Sequence, residues 1–189
     1  MRVALRVGLA TVLAVSAQAH PADLTLDPTH TFARFEIDHF GATTNRGRFD
    51  RVHGTVFLDR IAGVGRVDIT IEVGSVNTGT AAFDRQLLGP DLLDAERYPV
   101  ARFVSERFDF SNGRVQEVQG QLTLRGQTRP VTFRALKFSC YNSLVFKRTV
   151  CGGEFEAVVD RTDFGVDYLV RFGVPAEVRL LAQIEAIQP

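Results

Sequence analysis

The chain of 189 residues contains no tryptophan, only two cysteines and only four histidines. It also lacks the short signatures that announce common catalytic centres. There is no G-x-S-x-G, hence no nucleophile elbow of the hydrolase kind. There is no H-E-x-x-H and no C-x-x-C, the spacings that would hold zinc or a redox pair. The four histidines, His20, His30, His39 and His53, are scattered, and the carboxylates alternate with bases in the manner of a solvated strand surface. No basic run of any length occurs, and 22 Lys and Arg balance 22 Asp and Glu. That balance argues against nucleic acid or an anionic membrane surface as the main partner. Linkers, low-complexity tracts, charge blocks and internal repeats are absent as well, so one domain is expected.

One long apolar run is present, and it lies at the start. Arg2 and Arg6 precede Val7–Val15, and Ala17-Gln18-Ala19 follows as a small-x-small cleavage site. This reads as a secretory leader over residues 1–19, cleaved after Ala19, with an exported mature domain over 20–189. Losing Arg2 and Arg6 leaves 20 basic against 22 acidic residues, a net charge of −2. Cleavage would make His20 the N-terminus, where a free amine beside an imidazole can chelate copper(II), with His30 or His53 as further ligands. Coincidence is the simpler account of that histidine. In an exported chain the two cysteines, Cys140 and Cys151, are expected to pair, bridging two strand-like segments around YNSLVFKRTV. Facing strand residues satisfy the Cα separation of about 7 Å or less that a bridge requires.

What the chain has in abundance is period-two alternation. Val67, Ile69, Ile71 and Val73 alternate with Asp68, Thr70 and Glu72. Val118, Gly120, Leu122 and Leu124 form a second set, and Val178, Leu180, Ala182 and Ile184 a third. In HTFARFEIDHFGATTNRGRF (30–49), Ala33, Phe35, Ile37 and His39 share one face, and Arg34, Glu36 and Asp38 the other. Turn residues separate such segments: Ser111-Asn112-Gly113, residues 125–130, Gly152-Gly153 and residues 172–175. Only residues 78–99 break the rhythm. There, AAFDRQLL has helical spacing behind Thr78 or Thr80, and Gly89-Pro90 stops it. Many evenly spaced strands with one apolar face each suggest a closed antiparallel barrel or a sandwich. A barrel of about eight strands either fills with side chains or holds one small ligand.

Four blocks, in register, resemble the YceI family of lipocalin-like, polyisoprenoid-binding periplasmic proteins. They are DPTHTFARFEIDHFGATTNRGRF (27–49), SVNTGTAAFDRQLLGPDLLDAERYPVARF (75–103), GQLTLRGQTRPVTF (120–133) and RTDFGVDY (161–168). Gln86 stands where that family commonly has a histidine, so no role that needs a histidine carries over to this position. The resemblance implies an all-β fold: an eight-stranded antiparallel lipocalin-like barrel with a short helical insertion near residues 79–95. It further implies a long apolar cavity for an isoprenoid or other lipid chain, and no established catalytic activity.

On that basis the cavity wall is expected from the inward faces: Phe35, Ile37, His39, Ile69, Ile71, Phe103, Leu122, Leu124, Phe133, Val178 and Leu180. A phosphate head would want cationic or hydroxyl donors at the mouth, and the candidates are His39 at the end of its inward strand face, Arg46 in a glycine-bearing turn with Gly47 and Arg48, and Arg161. For Arg161 an ion pair with Asp163, Asp84 or Asp167 is the simpler role. No metal and no cofactor are expected beyond a bound lipid, an amphipath with an isoprenoid tail or an isoprenoid quinone. The protein is read as a carrier or store, not an enzyme. An accessory role in a quinone-linked redox or stress-response system and a non-lipid-binding periplasmic interaction module are the alternatives. A delivery partner is not identified, and homodimerisation is left open.

Overall fold

A computed structural model describes residues 22–189. The leader expected over residues 1–19 and the histidine at position 20 lie outside the described residues. The chain forms strands β1 (Ala22–Leu26), β2 (Phe32–His39), β3 (Thr43–Phe49), β4 (Val52–Asp59), β5 (Val64–Glu72) and β6 (Val76–Asn77). After them come helix α1 (Ala81–Leu88) and strands β7 (Val100–Ser111), β8 (Arg114–Leu124), β9 (Gln127–Asn142), β10 (Thr149–Asp160) and β11 (Glu177–Ile187). Eight strands close into an antiparallel barrel in the order β1-β4-β5-β7-β8-β9-β10-β11, with β11 pairing back onto β1. Closure removes the unpaired edges that an open sheet of this length would expose.

β1 and β2 lie end to end along β11: Leu26 faces Ala186, and Phe32 faces Gln183. Between them Asp27-Pro28-Thr29-His30 turns the chain. The buried Asp27 carboxylate accepts from the Thr29 backbone N–H at 2.8 Å and from its hydroxyl at 2.6 Å. Its other oxygen lies 2.8 Å from His30 Nδ1. The Asp-Pro-x-His opening is therefore a turn that breaks one long strand in two, and His30 is bound to it. β1 was not anticipated among the strand segments, because five residues show too little alternation to register.

Three hairpins close with the same device, a residue followed by glycine, both at positive φ: Phe40-Gly41, Asn112-Gly113 and Arg125-Gly126. Their handedness matches the twist of the flanking strands. The barrel is plugged at the end that carries the β4–β5, β7–β8 and β9–β10 turns, where Leu24, Leu58, Val115, Phe138, Cys151 and Ala186 are buried together. Each of the Leu, Val and Phe side chains among them contributes about 1.5–3 kcal/mol by leaving water. Cys140 and Cys151 face each other across β9 and β10 and form the expected disulfide, with Cα atoms 4.0 Å apart.

The opposite end carries α1, the β2–β3 and β8–β9 turns, and a non-strand segment over residues 161–176. α1 begins at Thr80, whose side chain makes no capping bond. Instead Asp84 reaches back and accepts from both the backbone N–H and the hydroxyl of Thr78, each at 2.7 Å. Beyond α1, Arg125 donates to the Leu92 carbonyl, and Tyr98 packs over Gly126. The helical insertion is thus tied to the β8–β9 turn and held across this end of the barrel.

Candidate functional site: an apolar cavity with one lid-bearing mouth

Inside the barrel, above the plugged end, is a cavity of about 440 Å³. That is within the usual 300–1,000 Å³ of a small-molecule site. Its wall is apolar except where Arg34, His39, Asn45, Gln86, Arg161 and Tyr168 contribute. All eleven positions named from alternation, Phe35 to Leu180, line it. Period two explains this: in a closed sheet every second residue must face inward.

The wall has a recurrent construction of aromatic rings laid over glycines. A Cβ built on Gly47 would lie 2.4 Å from Phe35 Cζ, one on Gly120 2.4 Å from Phe103 Cζ, and one on Gly65 2.6 Å from the Phe108 ring. The missing side chains let the rings lie along the wall instead of standing into the lumen. Phe103 also meets Phe133 edge to face, with centroids 5.1 Å apart.

Sequence reasoning missed the lid. Phe83 and Leu87, one helical turn apart on α1, face the cavity, as do Leu92 and Leu93 beyond it. The i, i+4 spacing of Phe83 and Leu87 was the available signal. Gln86 also lies at the mouth. The segment after β10 contributes Phe164, Val166, Tyr168 and Leu169.

The three candidate head-group residues are not brought together. His39 is exposed at the rim, its ring edge-on to Phe40 with centroids 5.0 Å apart. Arg46 is not in a turn. It lies within β3 on the outer face, where its Nε donates to Glu36 Oε1 at 2.9 Å. The β2–β3 turn comes earlier, at Phe40-Gly41, so alternation along β3 turns Arg46 away from the lumen. On that outer face Glu36 also accepts from Arg179, which bonds Glu156, and Glu156 bonds Arg134.

Arg161 is 6% exposed and does not make the expected ion pair. Its Nε, Nη1 and Nη2 donate to the carbonyl oxygens of Pro175, Val166 and Tyr168 at 3.0, 2.9 and 2.8 Å. Burial pulls its pKa down, with Asp160 and Asp167 opposing. A planar fork of donors can satisfy three carbonyls that converge from one loop, and the loop over residues 161–175 is folded around it.

Among the described residues, Asp27, His30 and Glu185 are the group close enough to suggest a metal, but their atoms are already committed. Asp27 bonds Thr29 and His30, and Glu185 accepts from the Tyr141 hydroxyl at 3.1 Å.

A closed antiparallel barrel, plugged at one end, roofed by a short helix at the other and hollow between, defines a lipocalin-like container. The YceI-like domain model matches residues 24–186, and the chain belongs to that family. A UPF0312 protein of Pseudomonas aeruginosa is 32% identical over 184 residues, 95% of this chain and 94% of the relative. One of Vibrio cholerae is 33% identical over 135 residues, 69% of this chain and 71% of the relative. Among solved structures, BcnA of Burkholderia cenocepacia superposes with a TM-score of 0.69 at 23% identity, covering 85% of this chain and 99% of BcnA. A polyisoprenoid binding domain from Saccharophagus degradans, implicated in plant cell wall breakdown, gives 0.61 at 16% identity, covering 90% of this chain and 100% of that domain. At these identities the two structures establish the shared fold.

Proposed function

We propose that the protein holds one amphipathic isoprenoid lipid in the barrel, tail inward, as a periplasmic carrier or store. The observation that carries this is the apolar cavity of about 440 Å³, with polar groups gathered at its mouth. Each methylene moved from water into such a wall contributes about 0.8 kcal/mol, so a tail supplies affinity by area, with no reacting group. The isoprenoid class is taken from the Saccharophagus degradans domain, which is described as polyisoprenoid-binding. Binding, not catalysis, is the role that this wall serves.

The mouth favours an uncharged head, a hydroxyl or the carbonyl of an isoprenoid quinone, over a phosphate. Arg46 is turned outward onto Glu36, Arg34 shares that face of β2 and lies 4.0 Å from Glu154, and Arg161 is spent on three carbonyls. His39, Asn45, Gln86 and Tyr168 remain as hydrogen-bonding groups. Export through the leader over residues 1–19 would deliver the container to the periplasm.

A titration with a fluorescent polyprenol tests the reading. The wild type is expected to saturate at one lipid per chain, with an uncharged polyprenol competing better than its phosphate. Ala182→Trp, which fills the lumen from a position on its wall, is expected to abolish saturation while the barrel still melts cooperatively. Equal binding by wild type and plugged variant would overturn the proposal.

A further inference from the structure

The mouth is ringed by apolar side chains that face water. Phe40 is 57% exposed, Leu169 37% and Phe172 63%. They form one patch. A Cβ on Gly173, next to Phe172, would lie 3.7 Å from the Phe40 ring, and the Phe172 backbone N–H donates to the Leu169 carbonyl at 3.0 Å. Phe40 and Leu169 also line the cavity, so the patch is continuous with the apolar interior.

Two of the three stand on strained backbone. Phe40 has φ 57° and Leu169 φ 61°, a region that residues with a bulky side chain rarely occupy. Asparagine or glycine would fill the first position of the β2–β3 turn at lower cost. The chain therefore sustains strain at two points to hold large apolar groups in the open around its aperture.

Charge does little here. Arg171 lies over the Phe172 ring at 4.9 Å, and the Asp38 carboxylate is turned back onto the Gly41 N–H at 2.6 Å. The whole chain is near neutrality. The Arg171 and Asp38 charges are of opposite sign, so they do not add to a single-sign field of the kind that recruits by charge. An apolar patch opening into an apolar cavity fits a surface whose interior is hydrocarbon.

We infer that Phe40, Leu169 and Phe172 seat the mouth on a lipid bilayer, so that cargo passes between membrane and cavity without its tail crossing water. This rests on the lipid-carrier reading. The physical gain is kinetic. A tail that leaves through water exposes every methylene in turn, each worth about fourfold in the equilibrium, whereas a seated mouth avoids that exposure.

The test is transfer from wild-type protein preloaded from detergent with a dansyl-labelled polyprenol, mixed with phosphatidylcholine vesicles that carry a quencher. Transfer is expected to accelerate in proportion to vesicle concentration. Phe172→Asp, at a position outside the cavity wall, should load from detergent like wild type but transfer about tenfold more slowly, and Phe172→Leu should restore most of the rate. A transfer rate independent of vesicle concentration, or wild-type rates in Phe172→Asp, would overturn the inference and leave the carrier reading intact. So would a stable dimer broken by Phe172→Asp, because a second copy would then cover the rim. Failure of the wild type to load from detergent would remove the carrier reading itself, and the inference with it.

Discussion

The ring of Phe35 lies directly over Gly47, its partner across the β2–β3 pair, so close that a Cβ on the glycine would fall 2.4 Å from Phe35 Cζ. The Phe103 ring on β7 likewise covers Gly120 on β8, at 2.4 Å from a Cβ built there, but diagonally, since its direct partner is Leu122. Hollow barrels need aromatic wall area without aromatic bulk in the lumen, and a ring folded over glycine supplies both.

Gly47→Ala should therefore push the Phe35 ring off the wall and into the cavity. The expected cost is about 1–3 kcal/mol of stability, as for other overpacked sites. Lipid capacity should fall with it. Adding Phe35→Leu should recover both, because the shorter side chain clears the new methyl. Thermal melting and lipid stoichiometry on the two variants check this; an unchanged lipid load in Gly47→Ala would show that the ring has somewhere else to go.

Phe40→Asn should act in the opposite direction on stability. It relieves a bulky residue at φ 57° in the β2–β3 turn, for a gain of about 1 kcal/mol, or roughly 2–4 °C in Tm for a domain of this size. Because the Phe40 ring lines the mouth, the same change should speed release of bound lipid. A melting curve and a dissociation time course on one sample test both halves. Lower stability with unchanged release would contradict the strain account.

Arg161→Leu should leave the carbonyls of Pro175, Val166 and Tyr168 without their donors. A loss of about 2–4 kcal/mol follows from buried groups left unbonded, a fall of roughly 5–15 °C in Tm. Arg161→Lys should recover little, since a compact ammonium cannot span three acceptors. In lipid competition the variant should keep the wild-type order of head groups. A changed order with an unchanged Tm would make Arg161 a head-group contact instead.

The Asp27–His30 turn should make stability depend on pH in a defined sense. Burial acts to raise the Asp27 pKa, but hydrogen bonds from Thr29 and His30 outweigh it and hold the carboxyl below its ordinary value. The bond to Asp27 holds the His30 pKa above its ordinary value, against slight burial. A depressed acid contributes above its unfolded pKa and loses that contribution as pH falls through the folded value. A raised histidine contributes below its unfolded pKa, about 6.5, and loses that contribution as pH rises through the folded value. The Tm difference between wild type and His30→Ala should thus be largest near about pH 5–6 and shrink toward alkaline pH. A difference that is flat, or that grows with pH, would contradict the pairing.

Much of the architecture was legible in the sequence because alternation is a local property. Val67, Ile69 and Ile71 declare an inward face wherever their strand lies, so wall positions could be named before the barrel was seen. Arg46 was misplaced because the turn glycine is Gly41, six residues before the Gly47 that suggested it, and one register step sends a side chain through the wall. Arg161 could not be read at all, because its partners are backbone carbonyls, which leave no mark on residue type. Phe83 and Leu87 carried a helical signal, but nothing local states that a helix of eight residues will roof a barrel. The tethers that place it there, Arg125 on the Leu92 carbonyl and Tyr98 over Gly126, join segments far apart in the chain.

The container account is tested most directly by native mass spectrometry of the purified mature protein, followed by solvent extraction and identification of whatever is released. The account predicts one isoprenoid lipid with an uncharged head per chain, lost on plugging the lumen with Ala182→Trp. A protein that is empty as isolated, and stays empty when offered polyprenols and isoprenoid quinones, would contradict it.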